Sequence, residues 1–231
     1  MRHNRAIVFD LDDTLYPFRR FVLSGFATCA RRLARRRGVD ARRAFGWMVR
    51  AYREGAHGQE VQMALHLLGL PASLAPALVD DIVWGRHLRL RLPASTRHTL
   101  EAMRRQGWRI GVLTNGDPAV QARKIDALGL SAYADEIVFA AEHGAGKPDV
   151  ESFREISLRL RVSPSRTVFV GDDEWCDVHG ARQAGMRAVR FVGHRHWPPG
   201  SSSADLVLTR ITDLPRAAAA LVADLQESHA A

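Results

Sequence analysis

Four polar clusters stand at or soon after the ends of short apolar runs, and each carries residue types suited to phosphoryl chemistry. Asp10-Leu11-Asp12-Asp13-Thr14 follows the run Arg5 to Phe9. Thr114-Asn115-Gly116 follows Trp108 to Leu113, and Lys147-Pro148 comes after Glu136 to Ala140. Gly171-Asp172-Asp173-Glu174-Trp175-Cys176-Asp177 follows Thr167 to Val170. Two carboxylates facing one pocket, such as Asp10 and Asp12, repel and raise one pKa. A hard divalent cation removes that penalty, and oxygen donors of this kind suit magnesium. Asp10 can then attack phosphorus as a nucleophile. Asp12 can protonate the leaving oxygen and afterwards deprotonate the water that cleaves the aspartyl-phosphate.

The other clusters supply complementary groups. The Thr114 hydroxyl and the successive N–H groups at Asn115 and Gly116 can hold a phosphoryl oxygen, although turn chemistry explains an Asn-Gly pair equally well. A fixed ammonium at Lys147 can neutralise both the nucleophile and the phosphoryl group. The chain has 33 basic residues, and only Lys124 and Lys147 are lysines, which makes each lysine position informative. In the last cluster one acid can bind the metal and another, Asp177, can orient its ligands. Acids at a helix N-terminus are also favoured by the helix dipole alone. Each cluster has an ordinary structural explanation; their shared order, spacing and strand-end position argue for one site.

The elements that must position these groups alternate. Apolar runs at 5–10, 108–113, 136–140, 167–170 and 188–192, with a short one at 205–208, predict strands buried on both faces. Helices are predicted over 118–128, 150–160, 177–184 and about 213–225, with Asp117 and Asp149 as N-caps and Gly185 as a stop. Strands alternating with helices imply an α/β fold, a parallel sheet covered by helices on both faces. Residues 18–92 break the rhythm and predict an all-helical insert, with helices over 18–37, 40–54, 59–68 and 73–87 bounded by Pro17 and Pro93. Residues 1–17 and 93–231 then form the core. The stretch 193–203, rich in Gly, Pro, Ser and His, predicts a mobile loop.

Composition narrows the classes. The 231 residues suffice for a core domain with a smaller insert. No apolar run approaches a membrane span, so no membrane partner is expected. The N-terminus lacks the apolar core and cleavage site of a signal peptide. Cys29 and Cys176 have no metal-site spacing and read as free thiols in a reducing compartment, so a cytoplasmic protein is expected. The net charge of +8 suggests anionic partners. Without a recognised nucleic-acid motif, nucleic acid is not the expected partner. A small phosphorylated substrate is, while a solvated arginine-rich surface accounts for the charge with no partner at all.

Together the four clusters resemble the motifs of the haloacid dehalogenase-like hydrolase superfamily. Val8-Phe9-Asp10-Leu11-Asp12-Asp13-Thr14-Leu15 is similar to the first motif and Thr114-Asn115 to the second. Glu142-His143-Gly144-Ala145-Gly146-Lys147-Pro148-Asp149, with Phe153 following, is similar to the third. Gly171-Asp172 through Asp177, continued by Gly180-Ala181 and Ala184-Gly185-Met186, is similar to the fourth. The resemblance covers nearly the whole chain and implies a Rossmann-like core with a helical cap over 18–92. It implies magnesium bound by Asp10, the Asp12 main-chain carbonyl and Asp172, supported by Asp177 or Asp173. Asp13 varies among relatives and receives no catalytic role.

Fold alone does not settle the reaction. Dehalogenase relatives lack an acid where Asp12 stands, because halide leaves without a proton. Phosphonatase relatives use a cap lysine, and residues 18–92 contain none. A phosphatase acting on a small phosphomonoester is therefore expected, with a nucleotide or a sugar phosphate as candidate substrates. A phosphomutase on the same scaffold and a non-catalytic anion or nucleic-acid binder are the alternatives. Tyr16, in the connecting Leu15 to Arg20 stretch, can stack on a substrate ring or simply pack. Arg19, Arg20, His57 and the arginines 31, 32, 35, 36, 37, 42 and 43 are candidates for anion contacts. Trp47, Met48 and Trp84 are expected in the core of the insert, and His194, His196 and Trp197 in the loop.

Overall fold

The computed structural model describes residues 5–56, 58–84, 88–194 and 201–227. The chain divides into two compact units, Phe18–Leu90 and a second made of Met1–Pro17 with Arg91–Ala231. The first unit is built from α1 (Arg19–Arg37), α2 (Ala41–Arg53), α3 (Glu60–Leu67) and α4 (Ala75–Trp84), with no strand among its described residues. Gly38 ends α1 in a left-handed conformation at φ 69, where a side chain would be strained. Asp40 starts α2 by accepting the N–H of Arg43. Phe26, Cys29 and Leu33 of α1 meet Met48, Leu65 and Leu78 in an apolar core. The arginines between them alternate onto the outside, as the helical period dictates.

One expectation for this unit fails. Trp84 is 49% exposed rather than buried. The inward stripe of α4 runs Ala75, Leu78, Ile82, and position 84 falls on the opposite side of a 3.6-residue period. The helix predicted over 73–87 starts at Ala75, after a tight turn at Ala72–Leu74, and residues 85–87, like His57, lie outside the described residues.

The second unit carries a six-stranded sheet in the order β3-β2-β1-β4-β5-β6. The strands are β1 (Ala6–Phe9), β2 (Arg109–Thr114), β3 (Glu136–Phe139), β4 (Thr167–Gly171), β5 (Arg187–Phe191) and β6 (Leu206–Leu208). Every pairing is parallel, and Ile7 of β1 lies between Ile110 of β2 and Val168 of β4. All four residues of β1 are fully buried, which is why its sequence does not alternate. α7 (Val150–Leu160) and α8 (Gly180–Gln183) cover the face that presents Ala6, Val8 and Phe169. Gly111 lets α7 approach β2, since a Cβ there would sit 3.0 Å from Leu160. α5 (Ala94–Arg105) and α9 (Leu214–Glu227) pack on the other face, and α6 (Pro118–Leu128) follows β2. Successive connections leave β1 on opposite sides, so a crevice opens at the C-terminal ends of β1, β2 and β4.

The unit differs from expectation in two places, and the expected mobile loop is described only in part. α5 was not predicted, because its buried stripe is Thr96, Thr99, Leu100 and Met103, and half of it is polar. The helix expected over 177–184 is instead a wide π-type turn, Glu174–His179, running into the short α8. The described part of the expected mobile loop is anchored: Ser202 Oγ, Ser203 N and Ser203 Oγ donate to the Glu174 carboxylate at 2.6, 2.7 and 2.8 Å. His196 and Trp197 lie outside the described residues, and His194 packs edge-on against Phe191 at 5.1 Å.

Candidate active site

Asp10 sits at the end of the central strand, its N–H donating to Val170 O of β4 at 2.9 Å. Its carboxylate accepts from Lys147 Nζ at 2.6 Å, and the same ammonium donates to Asp177 Oδ1 at 2.7 Å. Carboxylate oxygens of Asp10, Asp172 and Asp177 all lie within 4.8 Å of one another, and all three residues are buried. Lys147 also lies 5.6 Å from the Phe169 ring centroid, an added cation–π contact. Three segments distant in sequence thus converge on one cleft, as expected where an open parallel sheet changes direction.

The wide turn after β4 explains how Asp177 arrives there. Asp173 accepts the N–H groups of Trp175 and Cys176 at 2.9 and 2.7 Å and so caps the turn. The Asp173 carbonyl takes both Asp177 N at 3.1 Å and Val178 N at 3.2 Å. That wide winding turns Asp177 back, where its Oδ2 accepts the N–H of Asp173 at 3.0 Å. Gly171 is required beneath it, because a Cβ there would sit 2.3 Å from the Asp177 carboxyl carbon. Asp177 therefore joins the acid cluster, whereas the Asp173 carboxylate serves the backbone.

The second cluster is used differently from the simplest expectation. Asn115 exchanges two hydrogen bonds with the Lys147 peptide: Nδ2 donates to Lys147 O at 3.0 Å, and Lys147 N donates to Oδ1 at 2.8 Å. Its side chain fixes the lysine loop, leaving the backbone N–H as its means of meeting a ligand. Thr114 is buried, with its hydroxyl accepting from Gln121 Nε2 at 2.6 Å. Gly116 takes φ 107, a region that favours glycine.

Asp12 lies apart from the acid cluster. Its Oδ1 accepts from the Tyr16 hydroxyl at 2.5 Å, and its Oδ2 accepts from Lys124 Nζ at 2.7 Å and Gln121 Nε2 at 3.2 Å. The turn that allows this has Asp13 at φ 56, a conformation aspartate tolerates better than most residues. Tyr16 is fully buried and spends its hydroxyl on Asp12 rather than offering a stacking face. Sequence reasoning did not single out Gln121, or Lys124 as a site residue. The signal was present: on α6 the buried positions are Gln121, Lys124, Ile125 and Leu128, so two polar residues occupy the inward stripe.

Charge is unbalanced at the acid cluster. Burial, the largest effect, pushes the Asp10 carboxyl up to about 7; Lys147 opposes this, while Asp177 and Asp12 add to it. Burial alone would depress the Lys147 ammonium, but Asp10 and Asp177 outweigh burial and raise it. One firmly protonated lysine therefore faces three carboxylates. An oxygen-only donor set with excess negative charge fits a hard divalent cation such as magnesium.

Known proteins are similar to this chain in sequence and in fold. The sequence family described as haloacid dehalogenase-like hydrolase matches residues 4–185. The chain is 32% identical to a glyceraldehyde 3-phosphate phosphatase of Methanopyrus kandleri, over 81% of this chain and 83% of the relative. It is 31% identical to a ribulose-1,5-bisphosphate 5-phosphatase of Halopiger xanaduensis, over 80% of this chain and 84% of that one. Among solved structures, a 2-haloacid dehalogenase from Pseudomonas syringae superposes with a TM-score of 0.63 at 26% identity, covering 94% of this chain and 98% of the other.

Proposed function

Because this chain belongs to the haloacid dehalogenase-like hydrolases, we propose that it is a magnesium-dependent phosphatase that hydrolyses a small sugar phosphate through an aspartyl-phosphate on Asp10. It is a phosphoric monoester hydrolase. The two relatives named for glyceraldehyde 3-phosphate and ribulose-1,5-bisphosphate support the substrate class. The observation that carries the reading is the double contact of Lys147 Nζ with Asp10 and Asp177 beside Asp172.

Asp10, the Asp12 main-chain carbonyl and Asp172 would hold the magnesium, which when bound supplies charge neutralisation to the phosphoryl oxygens. The Asp10 carboxylate attacks phosphorus and keeps the phosphoryl group as an acyl phosphate. Asp12 gives its proton to the oxygen that leaves, then takes a proton from the water that hydrolyses the intermediate. Lys147 stays charged throughout and balances the nucleophile, held by Asp177 and by the Asn115 exchange with its peptide. The Thr114 hydroxyl and the N–H groups of Asn115 and Gly116 bind a phosphoryl oxygen. Asp177 orients the site through Lys147 and the N–H of Asp173, and Asp173 supports it as the cap of that turn. Residues 18–92 act as the cap that selects substrate, and residues 1–17 with 93–231 are the catalytic core. No described helix is long and apolar enough to cross a membrane, and the free thiols of Cys29 and Cys176 fit a cytoplasmic setting.

Asp12 separates this reading from dehalogenation, because halide departs without a proton and such an enzyme has no use for an acid there. A panel of phosphorylated metabolites with magnesium, scored by release of inorganic phosphate, tests the proposal. Asp10→Asn should lose activity by at least about a thousandfold, Asp12→Ala should be severely impaired, and chelation should stop turnover. Wild-type-like rates in Asp10→Asn, or turnover without metal, would refute it. Isomerised substrate without phosphate release would mark a mutase instead.

A further inference from the structure

Both lysines of the chain are buried, and each holds one of the two carboxylates that the proposed chemistry uses. Lys147 holds Asp10, and Lys124 holds Asp12. A buried ammonium is costly unless it is paired and hydrogen-bonded, and Lys124 meets that condition at Asp12. It is 4% exposed, on the inward stripe of α6. Gln121, one turn earlier and 3% exposed, reaches the same carboxylate oxygen. It also donates to Thr114 Oγ1 at 2.6 Å and Asn115 O at 2.7 Å. Its single NH2 has two hydrogens for these three acceptors, so the contacts with Asp12 and the second cluster are shared. Tyr16 closes the arrangement on the other oxygen. Three buried donors from two segments thus grip a carboxylate whose own side chain is 28% exposed.

We propose that Lys124, with Gln121 and Tyr16, is a positioning clamp that sets the orientation of the Asp12 carboxylate for proton transfer to the leaving group. This rests on the reading of Asp12 as acid and base given above. The clamp is sealed and its client is accessible, the arrangement needed to aim a proton carrier at a substrate without touching the substrate. Gln121 links the aim of Asp12 to the strand end at Thr114 and Asn115, where the phosphoryl group is bound in the same reading.

The test uses aryl phosphates of graded leaving-group acidity with the magnesium-loaded full chain. kcat/KM reports the steps through transfer of the phosphoryl group to Asp10, and a well-aimed acid makes it insensitive to the leaving group. Lys124→Met should lose under about threefold on p-nitrophenyl phosphate but more than about thirtyfold on phenyl phosphate, within the range general acids contribute. Tyr16→Phe, which keeps the ring, should show the same selective loss to a smaller degree. It carries the test by the same criterion if Lys124→Met does not fold. In an Asp12→Asn background neither substitution should reduce kcat/KM further, because the group being aimed is gone. Equal losses on both substrates, or losses that multiply with Asp12→Asn, would overturn the clamp. If Asp12→Asn itself leaves phenyl phosphate turnover intact, the acid–base reading of Asp12 fails instead.

Discussion

The two units treat polarity in opposite ways. Every described polar or charged residue that is buried belongs to the sheet unit: Asp10, Lys124, Lys147, Asp172 and Asp177 among the ionisable ones, with Gln121 and several Thr and Ser besides. The helical unit buries apolar side chains and Cys29 and keeps its many arginines outside. Arg32, for example, lies on its surface, paired with Asp81 at 2.6 Å. Burying charge opposes folding, and hydrophobic replacements of similar volume are often neutral or better. Among the described residues that cost is concentrated at one strand-end cleft, as expected where charges are held for chemistry. The helical unit follows the ordinary logic of an amphipathic bundle, and its residues answer to packing.

That contrast can be broken most forcefully at Lys147. Lys147→Met leaves Asp10 and Asp177 buried without their shared cation, which should destabilise the metal-free protein by about 3–5 kcal/mol. It should also reduce turnover by at least about a hundredfold. Urea unfolding and phosphate release measure the two losses, and a variant with native stability would contradict the charge balance described. In the helical unit the comparable step is Met48→Ala, a fully buried apolar residue. It should cost about 2–5 kcal/mol by cavity formation. The p-nitrophenyl phosphate kcat of the folded fraction should stay within about twofold of wild type, since no reacting group is touched. A chemical defect comparable with that of Lys147→Met would erase the distinction between the units.

The smallest effect is a pH dependence. The Asp10 carboxyl titrates near 7 in the folded protein, against 3.8 ordinarily. The folded state therefore binds its proton more tightly than the unfolded chain. The stabilisation is fully present below about pH 4 and is lost as pH rises through about 7. With metal chelated, the protein should melt several degrees lower at pH 8 than at pH 6, and Asp10→Asn should flatten that difference. A slope unchanged by the substitution would place its origin elsewhere.

Much of this was legible in the sequence because the signals were coarse and physical. Asp10 ends an unbroken apolar run, as a strand buried on both faces requires. Lys147 stood out because lysine is rare in this chain. The parallel sheet followed from the alternation of elements, and the helical unit from a change of hydrophobic period. What escaped depended on side chains acting against type. Thr96 and Thr99 serve as buried residues in α5, the Thr99 hydroxyl being satisfied by the carbonyls of Ser95 and Ile211 at 2.9 and 3.2 Å. Counting apolar residues does not detect such a stripe. Lys124 and Gln121 escaped because their partner lies more than a hundred residues away, and only the folded topology joins them. The role of Asp173 against Asp177 turned on a wide turn that no local propensity announces.

Gly171 carries a consequence beyond its own position. The space its missing side chain leaves is occupied by the carboxyl group of Asp177, so one hydrogen atom on the main chain is as much a part of the cleft as any acid. Replacing it with alanine would evict that neighbour while leaving every acidic letter of the motif intact. A descendant so altered would still look competent on paper, which makes the smallest residue in the cleft the one to inspect before crediting any sister protein with this chemistry.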